Sequence, residues 1–113
     1  MASPLLPLNK FLNVATKVTT VDQIAYTVPS GISSIVLSAI CTNYTGNPAT
    51  LNVRISKAGT SYYLIPNIEL PANEVMDIIS GRMVLTEGDQ IIIKSNIADS
   101  VDFVMSLNES ANE

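Results

Sequence analysis

The stretch Ser34-Ile35-Val36-Leu37-Ser38-Ala39-Ile40-Cys41-Thr42 decides the fold. Its odd positions, Ile35, Leu37, Ala39 and Cys41, are apolar, while the even ones mix Ser34, Ser38 and Thr42 with Val36 and Ile40. Side chains of an extended chain point alternately to opposite sides, so a period of two marks a strand with one buried face, here the odd one. The same alternation returns in Leu51, Val53 and Ile55 against Asn52, Arg54 and Ser56. It returns again in Val101, Phe103, Met105 and Leu107 against Asp102, Val104, Ser106 and Asn108. No window sustains the 3.6-residue period of a helix.

Turn chemistry separates these runs. Pro29-Ser30-Gly31, Thr45-Gly46-Asn47-Pro48, Ala58-Gly59-Thr60, Pro71-Ala72-Asn73, Ser80-Gly81 and Glu87-Gly88-Asp89 each supply a residue tolerant of positive φ or one with φ already fixed. Strands are expected at 11–18, 23–28, 33–42, 49–57, 60–69, 74–79, 82–86, 90–95 and 101–108. Short strands with turns about every ten residues predict an all-β fold, an antiparallel β-sandwich of jelly-roll-like form. A barrel is the second solution. Residues 1–10 hold two prolines and no alternation, which predicts an extended N-terminal arm ahead of a domain at 11–108; 109–113 reads as a short polar tail.

The composition agrees. The chain has 113 residues, one domain's worth, with 47% hydrophobic and 14% charged residues, too apolar for disorder and too poor in charge for a solvated coiled coil. It has no His and one Cys, which excludes Ser-His-Asp triads, His- or Cys-type zinc sites and internal disulfides. A net charge of −4 with scattered basic residues argues against nucleic acid as a partner. Apolar runs of three or four residues fall far short of the ~20 that cross a bilayer as a helix, so no membrane partner is expected. The amino end has no basic start, so a secretory signal is not expected and the lone Cys41 reads as a small buried hydrophobe in a reducing compartment. The sequons Asn43-Tyr44-Thr45 and Asn108-Glu109-Ser110 then read as chance matches.

No constellation for catalysis emerges, and no metal or cofactor is expected. Glu87-Gly88-Asp89 reads as a turn, since Ca²⁺ wants six to eight oxygens. Asp77 is the one acid inside an apolar run (Val75, Met76, Ile78, Ile79), placed either on a solvated edge strand or across an interface. Tyr62-Tyr63 puts two aromatics on opposite sides of one strand, so only one can enter the core or pack across strands, and the other is left for an interface or a sugar. Leu5, Leu6 and Leu8 of the arm complete the candidate interface set. Ser, Thr and Asn, not charge, must cover the surface, and apolar residues such as Val36, Ile40, Ile92 and Val104 fall on both faces of some strands. A solitary monomer of that kind is hard to keep soluble, which points to burial against other copies.

Three stretches together carry a resemblance: Tyr26-Thr27-Val28-Pro29-Ser30-Gly31 leading into Ile35-Val36-Leu37; Tyr62-Tyr63-Leu64 with Asn67, Leu70 and Pro71; and Leu85-Thr86-Glu87-Gly88-Asp89-Gln90-Ile91. In order and spacing, over about residues 14–108, they resemble small virion proteins of tailed bacteriophages. The resemblance implies a non-enzymatic β-sandwich that assembles on the particle, at the neck, collar or tail or as capsid decoration. Its partners would be itself and other virion proteins, and its location the virion, built in the host cytoplasm. The alternative is a host-surface glycan-binding module of a tail fibre or spike, with loops 42–48 and 95–100 around a groove.

Overall fold

The computed structural model describes residues 9–112. Nine strands run through them: β1 (Asn9–Lys17), β2 (Gln23–Thr27), β3 (Ile32–Asn43), β4 (Ala49–Lys57), β5 (Thr60–Leu70), β6 (Val75–Asp77), β7 (Met83–Leu85), β8 (Gln90–Ser95) and β9 (Val101–Ala111). They form two antiparallel sheets. Sheet I has the order β1-β9-β3-β6, with β7 also paired to β3, and sheet II the order β2-β8-β4-β5. β6 and β7 lie against successive halves of β3, at Ile40–Thr42 and Ser34–Val36, and so act as one strand interrupted at residues 78–82. With that pair taken as one, the chain changes sheet at every connection except the β4–β5 hairpin. That is a jelly roll, as the alternation and turn spacing predict.

The core lies between the sheets. Phe103, Met105 and Leu107 of β9, with Val36, Ala39 and Cys41 of β3, meet Leu51 and Val53 of β4 and Ile91 and Ile93 of β8, all buried. Burial pushes the Cys41 thiol up to about 12, so this side chain packs as the small hydrophobe its sequence context predicts.

In β3 the structure corrects the odd-position reading. Between Val36 and Ser38 the register against β9 shifts: Val36 faces Leu107 and Ser38 faces Ser106, leaving Leu37 as the extra residue of a β-bulge. A bulge inverts the alternation. Ser34 and Val36 therefore point inward before it and Ala39, Cys41 and Asn43 after it, whereas Ile35 and Leu37 face out. Val36, expected among the surplus surface residues, is core.

Buried polar groups tie the layers together. From sheet II the Tyr26 hydroxyl donates to Glu109 Oε2 at 2.6 Å and meets Ser34 Oγ at 2.6 Å, both on sheet I. Burial, and then the Glu109 carboxylate, push the Tyr26 hydroxyl up to about 12. Glu109 was expected in a polar tail; instead β9 continues to Ala111, and Asn112 N donates to Gly31 O at 2.8 Å. Strand pairing likewise starts at Asn9, inside the stretch expected as an arm. Asp89 of the Glu87-Gly88-Asp89 turn is buried and accepts from Thr86 N at 2.8 Å and Lys57 Nζ at 2.7 Å, locking the β7–β8 turn to the end of β4. Asn43 is also buried: its Nδ2 donates to Asn47 O and Leu70 O, and its Oδ1 accepts from Thr45, so this sequon amide is occupied in organising its own loop.

Candidate functional site

The outer face of sheet I is the candidate site, and the strand register lays it out in rows. Across β1, β9, β3 and then β7 or β6 the outward residues are Phe11–Asn108–Ile35–Val84, then Asn13–Ser106–Ser38, then Ala15–Val104–Ile40–Asp77, then Lys17–Asp102–Thr42–Val75. The bulge residue Leu37 stands between the first two rows. Phe11 is 75% exposed and Val84 64%, while Ile35, Leu37, Ile40 and Val104 lie between 36% and 38%. Weighted by those exposures, the six offer on the order of 600 Å², the top of the ~300–600 Å² spanned by the largest apolar patch of a typical monomer. Phe11 and Leu37 flank a shallow open hollow of about 410 Å³ whose floor includes Ser106.

Little charge interrupts this face. Lys17 and Asp102 pair at 2.8 Å, and the Lys17 amine also sits 4.6 Å from the centre of the Tyr44 ring. The hydrogen bond it donates to Asp102 holds the Lys17 amine above its usual value, so the pair stays internally compensated near neutrality. Asp77 stands at the edge, on the three-residue strand β6.

The sequence-predicted interface residues do not gather in one place. Asp77 lies on this face, in the row of Val104 and Ile40, exposed on an edge strand. Tyr62 and Tyr63 lie on β5, the edge of sheet II, and both are exposed, at 55% and 59%. Alternation allows only one of them into the core, and in the structure neither is buried there. β5 carries two register shifts against β4, with Asn67 in the left-handed region and Pro66 beside it, and it is the edge strand of its sheet, paired on one side only. Leu5, Leu6 and Leu8 lie outside the described residues. Of the surplus apolar residues, Ile40 and Val104 do face out on sheet I. Sequence reasoning missed Ile35 and Leu37, because the bulge inverts their direction, and it missed Phe11 and Val84, which precede or follow the clearest alternation.

No family model matches the sequence, and no curated protein matches it. Solved structures share the fold. A chain from the capsid structure of the Helicobacter pylori bacteriophage KHP30 is 13% identical, with a TM-score of 0.55 over 94% of this chain and 90% of that one. A chain of the disulfide-linked pili that form Bacillus endospore appendages is 15% identical, with a TM-score of 0.53 over 93% and 88%. A chain of the T13 particle of IBDV is 11% identical, with a TM-score of 0.52 over 99% of this chain and 35% of that one. At these identities the likeness is one of fold: an all-β, two-layered jelly roll.

Proposed function

We propose that this chain is a non-enzymatic structural protein of a bacteriophage particle, self-assembling in the host cytoplasm and packing at the neck, collar or tail or as capsid decoration. The observation that carries the reading is the outer face of sheet I, where Phe11, Ile35, Leu37 and Val84 and, beyond a polar row, Ile40 and Val104 stand exposed. Left wet, such a face costs roughly 25 cal/mol for each Å² of apolar surface, and covering it against a second molecule recovers that. Specific contacts bury about 800 Å² per partner, which is close to the apolar patch plus its polar rim. The folds shared with capsid and pilus subunits support a subunit role. In this reading Leu5, Leu6 and Leu8 dock on a neighbouring subunit, Asp77 rims the face, and Tyr62 and Tyr63 contact other virion proteins.

Electron microscopy of the purified protein tests this. Uniform, symmetric assemblies are expected, and removal of residues 1–8 should weaken them without unfolding the domain. Fields of isolated particles the size of one 12.1 kDa chain would overturn the reading.

A further inference from the structure

Sheet II presents a different outer surface. Asn52 of β4 and Lys94 of β8 are cross-strand partners, and with Thr20, Thr50, Asn67 and Asn96 they wall an open cleft of about 250 Å³. We propose that this cleft binds one ring of a carboxylated saccharide. The site is separate from the assembly face and does not depend on it.

Size, donor chemistry and charge carry the assignment. The cleft lies below the ~300–1,000 Å³ of drug-sized pockets, which suits a single sugar ring held across a sheet surface. Its walls are amides, hydroxyls and one ammonium, groups that pair with the alternating donors and acceptors of vicinal hydroxyls. The amides are already oriented. Asn52 is buried; its Nδ2 donates to Asn67 Oδ1 at 3.0 Å, and its Oδ1 accepts from Arg54 at 3.2 Å. Asn96 Oδ1 accepts from Thr50 N at 2.7 Å. These bonds spend the side-chain carbonyl oxygens and leave the side-chain Nδ2 groups of Asn67 and Asn96 without acceptors among the described residues. Asn67 reaches its place through a left-handed backbone, φ 59°, in a bulged strand.

Charge selects an acid. Lys17, Arg54 and Lys57 each hold a carboxylate partner, whereas Lys94 has none among the described residues. The nearby Asp22 is taken by Arg54, whose hydrogen bond holds its carboxyl below the usual range, with Lys94 adding to the pull. The cleft therefore keeps one uncompensated positive charge on a protein of net charge −4. A ring carboxylate answers Lys94 while the ring hydroxyls answer the amides.

Calorimetric titration of the whole protein with tetragalacturonate and with trisialic acid tests this. At least one should bind with Kd below ~1 mM, and its methyl ester at least tenfold more weakly. Lys94→Met should abolish the preference for the acid over the ester. Asn67→Gly keeps the left-handed backbone and should weaken binding about fivefold or more. Lys94→Met should melt as the wild type does, and Asn67→Gly, which takes the acceptor from the buried Asn52 amide, should stay folded with a lowered melting temperature. Failure of both acidic oligomers to bind overturns the proposal, and so do equal affinities for acid and ester or variants that bind like the wild type. Inorganic phosphate binding as tightly as the saccharide overturns it too, since a plain anion site would need no amides.

Discussion

Sheet I turns Phe11, Ile35, Ile40, Val84 and Val104 to the outside; sheet II turns out Lys94 together with Asn52 and Arg54, which bond to Asn67 and Asp22. Both faces belong to antiparallel sheets, and either could in principle be solvated. The difference shows that the outward chemistry of a jelly roll is not set by the fold. Sheet II sets a hydrogen-bonded network of Asn52, Arg54, Asp22 and Asn67 beside the exposed Ile24 and Tyr63 on its outer side. Sheet I spends its outer positions on side chains that nothing among the described residues covers.

The comparison breaks first if inside and outside have been confused, and neighbouring residues on β9 provide the largest expected effect. Phe103→Ala should cost about 3–5 kcal/mol in denaturant unfolding, because its ring fills the core, whereas Val104→Ala should stay within about 0.5 kcal/mol in the dissociated protein. Equal losses would mean that the sheet has been read upside down.

The next effect concerns what holds the two sheets in register with their turns. Asp89→Asn should cost about 1.5–3 kcal/mol, the range for hydrogen bonds to a charged group. Burial raises the Asp89 carboxyl, but the bonds from Lys57 and Thr86 outweigh it and leave the group below its ordinary value. Its stabilisation is thus fully present above the unfolded value near ~3.9 and lost as pH falls through the lower folded one. Wild-type stability should drop on acidification through that window, and the Asn variant should show a shallower drop.

Tyr26→Phe follows, at about 1–2 kcal/mol, since it leaves Glu109 without its donor. A hydroxyl raised to about 12 stabilises fully below the ordinary value near 10 and ceases to between 10 and 12. The alkaline loss should appear in the wild type and be absent from the Phe variant. Smallest is Asp22→Asn on the outer side of sheet II, at or below about 1 kcal/mol and fading with salt, because that carboxylate is half exposed. It should leave assembly unchanged, which separates the polar face from the apolar one.

Much of the fold was legible in the sequence because β4 and β9 alternate cleanly, and a clean period of two survives tertiary context. β3 was legible as a strand but not in its direction. Seven of its positions from Ile32 to Cys41 are apolar, so inserting Leu37 as an extra residue costs no obvious mismatch, and the bulge leaves no compositional mark. Glu109 looked like tail because a carboxylate ordinarily ends a buried run; its Tyr26 partner lies 83 residues away, beyond any local pattern. The exposure of both Tyr62 and Tyr63 was hidden for a related reason: alternation tells which side a residue faces, but not whether another layer reaches over it. The candidate face was half visible, through Ile40 and Val104, and its other half emerged only when register placed Phe11 and Val84 in the row of Ile35.

Sedimentation velocity of the wild type and of Val104→Lys at micromolar concentration tests the central claim most directly. The account predicts a wild-type species at a multiple of 12.1 kDa and a folded variant shifted to 12.1 kDa. A wild type that sediments as a single 12.1 kDa chain, or a variant that assembles as the wild type does, would contradict it.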